Sequence, residues 1–133
     1  MDNLVKEMAD YRLNCAKEDL ETAIEDLNRK RLRAAANRAY YSIFHSMRAV
    51  LALEQKDFKK HSAVHAYFNK HYIKTGIFPS VLFKLVKDAE KIRDSSDYMD
   101  LYVVSFEKIN EQIESAKLIF NLVEKYINGL REK

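Results

Sequence analysis

The stretch Asn37-Arg38-Ala39-Tyr40-Tyr41-Ser42-Ile43-Phe44-His45-Ser46-Met47-Arg48 holds the densest collection of chemically able side chains in this 133-residue chain. At about 100° per residue of helix, Arg38, Tyr41, His45 and Arg48 fall within a sector of roughly 80°, beside an apolar stripe through Tyr40, Phe44 and Met47. One helix face thus gathers two guanidinium groups, an imidazole and a phenol. Arg38 and His45 stand about 10 Å apart along the axis, and long side chains leaning together can grip one phosphate between them. A guanidinium offers a planar fork for phosphate oxygens and an imidazole titrates near neutrality. The pair therefore suits cleavage of a phosphodiester by the neighbouring ribose 2′-hydroxyl without a metal or other cofactor. In that chemistry Arg38 neutralises charge building on phosphorus and His45 moves the proton. The same residues also fit a quieter arrangement, with Arg38 paired to an acid on another helix and His45 a satisfied core or interface histidine. Spacing by itself favours the quieter one, because only geometry distinguishes an active pair.

Two further clusters stand outside this helix. Lys59-Lys60-His61-Ser62-Ala63-Val64-His65 places two histidines at i and i+4 on a short helix beside a basic loop. That spacing supplies half a zinc site, but no glutamate sits between them as in metalloprotease helices and no third ligand is evident. A polar groove lined by Lys60 and His61 is the better reading, whether it meets phosphate or only opens a helix into solvent. The third cluster is Arg93 with Asp97 and Tyr98. If the helix continued, Arg93 and Asp97 would pair one turn apart and Tyr98 would pack its ring and bond through its hydroxyl. A structural Arg93 locking a turn is favoured, although its guanidinium can instead face the Arg38 cluster and add positive potential.

The elements that must position these groups are helical. From Asp2, an N-cap residue type, apolar residues recur at Leu4, Met8, Tyr11 and Cys15 and then at Leu20, Ala23, Ile24 and Leu27, predicting a first helix that ends near Asn28. The second, from about Arg31 to Gln55, begins with a small-residue patch at Ala34, Ala35 and Ala36 that allows close approach of a neighbour. Residues 55–60 read as a loop before a short helix holding Val64, Tyr67, Phe68 and Tyr72, which Gly76 and Pro79 end. A fourth helix runs from roughly Ser80 to Arg93, and Asp94-Ser95-Ser96-Asp97 marks a turn. Ser105 caps the last, where Phe106, Ile109, Ile113, Ala116, Phe120, Val123, Ile127 and Leu130 alternate steps of three and four. Ile119, Leu122 and Tyr126 widen its apolar face beyond a two-stranded seam, so it packs against more than one neighbour. The fold class expected is all-α, an antiparallel bundle of about five helices.

Composition bounds the rest. A chain of this length supports one compact domain spanning residues 1–133, and 47% hydrophobic against 32% charged residues excludes intrinsic disorder. Glycine and proline number only three, which removes the raw material of β-sandwiches, dinucleotide-binding folds and phosphate-cradling glycine loops. A formal charge of +3 is too mild to announce a nucleic-acid binder but accommodates a local basic patch. The single cysteine, Cys15, forms no internal disulfide, and neither a membrane-spanning run nor a signal peptide is evident. A soluble, unexported protein of the reducing cytoplasm is expected. The eight tyrosines and seven phenylalanines fall mostly on apolar stripes, so core packing is favoured over stacking on bases.

The stretch Ala35 to His45, followed by Lys60-His61-Ser62 and then Arg93-Asp94-Ser95-Ser96-Asp97-Tyr98, resembles the small single-domain prokaryotic branch of the HEPN family (higher eukaryote and prokaryote nucleotide-binding), over roughly residues 10–128. The resemblance implies a helical bundle, frequently homodimeric, in a family whose active members are metal-independent RNases with an Arg-x4-6-His motif. Arg38 and His45 enclose six residues, the long form of that motif, and Ala39 stands where many nuclease members carry a polar residue. What it implies for the site is Arg38 as phosphate clamp and His45 as general acid or base. Asn37, Tyr41, Arg48, Lys60, His61, Arg93, Asp97 and Tyr98 are the supporting groups. Members resembling toxins are encoded beside a minimal nucleotidyltransferase antitoxin, and others are noncatalytic RNA- or nucleotide-binding modules. RNA or a nucleotide, a second copy of the chain and a nucleotidyltransferase are thus the expected partners.

Overall fold

The computed structural model describes the backbone of residues 2–98 and 105–131 and the side chains of residues 2–95 and 105–130. Five α-helices occupy most of this: α1 (Asn3–Asn28), α2 (Leu32–Ala52), α3 (His61–Phe68), α4 (Val81–Tyr98) and α5 (Phe106–Arg131), with a π-helical stretch, Asn69–Ile73, continuing α3. They pack as a helical bundle, with no strand among the described residues. The expected caps are present. The Asp2 carboxylate accepts the Leu4 N–H at 2.7 Å and the Ser105 hydroxyl accepts the Lys108 N–H at 3.1 Å, each satisfying an otherwise orphaned helix donor.

Packing starts from a seam of small side chains. On α1 the buried positions alternate, Ala9, Leu13, Ala16, Leu20, Ala23 and Leu27, and on α2 Ala35, Ala39, Ser42, Ser46 and Ala49 follow each other in steps of four and three. The two helices therefore approach closely enough for the Ser42 hydroxyl to donate to the Ala16 backbone carbonyl at 2.8 Å, across the most extensive helix pairing in the molecule. With α1 on one side, α2 turns Tyr40, Ile43, Phe44, Met47, Val50 and Leu51 toward α3, α4 and α5. It is the central helix, with 13 of its residues buried, so its polar face is held against neighbours on several sides. On α5 the expected stripe is buried from Ile109 through Ile127, while Ile119 is also fully enclosed and Leu122 and Tyr126 pack partly against the core.

Helix ends depart from expectation in two places. Residues Asp94 to Asp97 do not form a turn; α4 continues through them to Tyr98. Serine and aspartate cost only a few tenths of a kcal/mol each in a helix interior, and with no glycine or proline present that is too little to stop a helix whose Ile92 and Arg93 are anchored in the bundle. Earlier in the chain α2 stops at Ala52, not Gln55. Lys56 N–H bonds back to Leu51 C=O and Gln55 N–H to Ala52 C=O, both at 3.0 Å, which is the Schellman ending of a helix, with Gln55 in the left-handed region at φ 57°. Lys30 closes α1 the same way at φ 59°. A side chain in that region costs about 1–2 kcal/mol, partly offset by the greater freedom glycine has when unfolded. Gln55→Gly is expected to stabilise the protein by about 0.5–1 kcal/mol, read as a rise in the denaturation midpoint at unchanged m-value.

Candidate functional site

The polar face of α2 is closed by acids from two directions. Asp19 reaches across from α1, and its Oδ1 accepts from Arg38 Nη1 at 2.9 Å while its Oδ2 lies 3.8 Å from His45 Nε2. Arg38 and His45, one heptad apart, therefore address the same carboxylate and hence the same point in space. The quieter arrangement that spacing favoured is met in part: Arg38 does pair with an acid of another helix, but the acid is shared with His45. Further along α2, Arg48 grips Asp57 through both Nε (3.3 Å) and Nη2 (3.0 Å), and Arg12 of α1 joins at 3.3 Å.

Rings and cations alternate around this face. The Tyr41 ring lies 5.2 Å from the Arg38 guanidinium and 5.5 Å from that of Arg93, which arrives from α4 and also sits 5.1 Å from the Tyr40 ring. Arg93 Nη2 donates to the Tyr41 hydroxyl at 3.4 Å. Arg93 thus faces the α2 cluster, and its Nη1 also lies 3.6 Å from Asp94 Oδ1, while the expected partner Asp97 has its side chain outside the described residues. His61, at the first position of α3, packs its ring 4.1 Å from that of Phe44 and 5.7 Å from that of Tyr41, edge-on. His45 flanks the same two rings at 5.6 and 6.0 Å. Arg48 and His61, with Asp57, Phe58 and Lys59, line a cavity of about 300 Å³ over Phe44.

Of the residues selected from sequence, the structure brings Arg38, Tyr41, His45, Arg48, His61 and Arg93 to one face. Asn37 is half-buried beside Arg38 with its side-chain oxygen enclosed and unbonded. Lys60 contributes through its backbone, whose carbonyl accepts from Ala63 and Val64 at the start of α3, and its side chain is exposed. The side chains of Asp97 and Tyr98 lie outside the described residues. Sequence reasoning missed Asp19, Asp57 and Glu90, and it read Tyr40 as packing alone. In fact the buried Tyr40 hydroxyl lies 3.1 Å from both His61 Nδ1 and His65 Nε2, and His65 Nδ1 faces Glu90 Oε2 at 2.5 Å. The two histidines noted for metal-like spacing spend their inward nitrogens on one hydroxyl. The described residues hold no group of three or more metal-ligating side chains placed to share an ion.

Electrostatics set the protonation states. Burial lowers the His45 pKa below its usual value, and Arg48, Arg12 and Arg38 push the same way against the opposing pull of Asp19. His61 is lowered by burial, then by Arg93 and Arg48. Both imidazoles are therefore predominantly neutral at pH 7. Partial burial raises the Asp57 carboxyl, but hydrogen bonds and charge from Arg48 and Arg12 together outweigh it and hold the group down to about 2.

Residues 9–126 match the HEPN domain. The chain belongs to the HEPN domain family. It is 32% identical over 129 residues to a "UPF0332 protein" of Thermotoga maritima, an alignment covering 97% of this chain and 98% of that one. It is also 29% identical over 112 residues to "Putative toxin MJ0142" of Methanocaldococcus jannaschii, covering 84% of this chain and 76% of that one. A second protein of that organism, "Putative toxin MJ0605", is 29% identical over 94 residues, 71% of this chain and 70% of its own. The HEPN match takes in all of α2 to α4 and so the whole of the polar face described above. No helix among the described residues is long and apolar enough to cross a membrane.

Two measurements test this electrostatic account. Asp19→Asn removes the carboxylate that raises the His45 pKa, so the imidazole should titrate at lower pH than in the parent protein, followed by NMR of the ring; an upward shift would contradict the geometry. Asp57 stabilises the fold fully above about pH 4, where the unfolded carboxyl is ionised, and this contribution fades as pH falls toward 2. Because the side chain is nearly half exposed, solvent screening holds it to about 1 kcal/mol, so Asp57→Asn should lower stability by about that much at pH 7 and by almost nothing at pH 2.

Proposed function

We propose that this HEPN protein is an RNA-directed module of toxin type that cuts RNA without a metal, with Arg38 holding the scissile phosphate and His45 moving a proton. The observation that carries the reading is the shared carboxylate: Asp19 meets Arg38 at 2.9 Å and His45 at 3.8 Å, so an anion on this face is within reach of both side chains at once. A phosphate displacing Asp19 would take the same place. Arg93, Arg48 and His61 stand nearby with further positive or titratable groups, and Asn37, Tyr41, Lys60, Asp97 and Tyr98 complete the proposed supporting set. The names of the two Methanocaldococcus relatives lend the toxin assignment its support. The proposal extends to the cytoplasm as the place of action, to one domain over the whole chain, to a homodimer and to regulation by a minimal nucleotidyltransferase antitoxin.

The chemistry is transesterification. The ribose 2′-oxygen attacks phosphorus, the bond to the 5′-oxygen breaks, and the 2′-proton passes to a neutral imidazole while the 5′-oxygen acquires one. Products carry a 2′,3′-cyclic phosphate and a 5′-hydroxyl. A guanidinium held against the nonbridging oxygens stabilises the charge that develops there. A second reading, a noncatalytic module binding RNA or a nucleotide, is favoured by the same carboxylate, because an Arg38 already neutralised by Asp19 has a weaker hold on a competing anion.

Incubation of the purified protein with RNA in EDTA tests the reading. Cleavage with cyclic-phosphate ends is expected, falling by about 10²-fold or more in Arg38→Ala and His45→Ala. Salt-sensitive binding without turnover would establish the noncatalytic reading instead.

A further inference from the structure

Resting on the reading above, we propose that His61 is the general base of this face and that Tyr40 and His65, hydrogen-bonded in series and backed by the Glu90 carboxylate against His65, hold its outward nitrogen unprotonated and aimed at the substrate. The series, two hydrogen bonds and one ion contact, runs across three helices. Glu90 of α4 meets His65 of α3, His65 meets the Tyr40 hydroxyl of α2, and Tyr40 meets His61 at the start of α3, with separations of 2.5, 3.1 and 3.1 Å.

Its direction follows from the carboxylate. An ionised carboxylate only accepts, and a ring nitrogen 2.5 Å from its oxygen must carry the proton, because two facing lone pairs at that distance repel. His65 is therefore protonated on Nδ1. Burial lowers the pKa of His65 against the pull of Glu90, so the ring is neutral and its Nε2 offers a lone pair. Tyr40 has a single proton, which goes to that lone pair, leaving its oxygen to accept from His61 Nδ1–H. Burial also raises the Tyr40 pKa far above its usual value, so the phenol keeps its proton throughout. A neutral His61 protonated on Nδ1 has its free lone pair on Nε2, and no described residue bonds that atom. His61 lines the cavity over Phe44, where Arg48 stands on the same wall. This is the logic by which a buried acid sets the tautomer of a catalytic histidine, lengthened by one tyrosine and one further imidazole.

The division of labour with His45 then follows. His61 takes the 2′-proton on Nε2 as the 2′-oxygen attacks phosphorus. His45, in the minor protonated fraction that Asp19 favours, gives a proton to the departing 5′-oxygen, and exchange with water restores both rings. The Phe44 ring touches both imidazoles, at 4.1 Å from that of His61 and 5.6 Å from that of His45. The groups that bear on His61 are Arg48 on α2, Arg93, Glu90 and Asp94 on α4, and Asp57 and Lys59 in the cavity wall. Burial first, and then Arg93 and Arg48 against Glu90 and Asp94, lower its pKa and keep the base neutral at pH 7.

The experiment has two readouts on the full chain. Nitrogen-15 NMR of the neutral imidazoles should show His61 protonated on Nδ1 in the parent protein, with that preference lost in Glu90→Gln and in Tyr40→Phe. Protonation of His61 on Nε2 in the parent protein overturns the proposal. In RNA cleavage, His61→Ala should lose about 10²- to 10⁴-fold in kcat, and Glu90→Gln should displace the acidic limb of the pH profile of kcat/KM, a change that a merely structural role would not produce. Glu90 and His61 are both partly exposed, so these variants keep the core intact, and circular dichroism with a melting curve checks it. Cleavage surviving His61→Ala while abolished in His45→Ala overturns this assignment and leaves the reading of the face standing. A parent protein inert toward RNA overturns the reading itself, and the assignment with it.

Discussion

The close seam between α1 and α2 is the constraint on which the remaining structure depends. Alanine and serine on both helices bring the backbones near enough for a side-chain hydroxyl of one to bond a carbonyl of the other. Two consequences follow. A helix that presents only small groups on one side must bury its large ones elsewhere, and α2 does so on three others. The seam also brings an α1 side chain as short as aspartate within bonding distance of α2, which is how Asp19 reaches Arg38 and His45. A leucine at Ala16 or Ala39 would push the helices apart and draw that carboxylate away with them, at a packing cost of about 1–3 kcal/mol.

Charge on the α2 face is balanced locally. Asp19 answers Arg38, and Asp57 answers Arg48 and Arg12 together. Such pairs have to offset the desolvation that burial imposes, and partly exposed ones contribute only about 1 kcal/mol each to stability. Their larger effect is on the neighbouring imidazoles. Without Asp19 the surrounding guanidiniums would act on His45 unopposed, whereas His61 has distant acids and no directly paired one. Two histidines on one face thus sit in unlike surroundings, although burial lowers the pKa of both.

Helical periodicity made most of the bundle legible in the chain. Heptad steps located α5, the caps at Asp2 and Ser105 were readable by residue type, and the sector calculation put Arg38, Tyr41, His45 and Arg48 together. The family motifs added His61 and Arg93, which the fold brings against the same face of α2. The end of α4 was misread because Asp-Ser-Ser-Asp is typical of turns, yet local preference of a few tenths of a kcal/mol per residue yields to tertiary anchoring. The acids were illegible for a different reason. Asp19 sits one residue from the buried Leu20, at the edge of the α1 stripe, but which partner an edge acid meets depends on the crossing of two helices, and no spacing within one helix contains that. Tyr40 was legible as buried and not as bonded, since a tyrosine's ring obeys the apolar pattern while its hydroxyl obeys whatever lies across the interface.

On the proposed function, the state of the rings decides how RNA would be recognised. Tyr41 already has guanidinium groups of Arg38 and Arg93 against it, and Phe44 is buried under His61, so neither offers an open face to a base. Stacking of unpaired bases, which gives many single-strand binders about 1–3 kcal/mol per base, therefore finds no platform on Tyr41 or Phe44. What the face does present is guanidinium and imidazole nitrogen, groups that recognise phosphate and are indifferent to the base attached. Affinity would then come from neutralising a few phosphates and releasing their counterions, and would weaken steeply as salt rises. Discrimination among RNA sequences must come from somewhere else, either from the path the backbone has to follow to lay one phosphate between Arg38 and His45, or from a second protein that presents the strand.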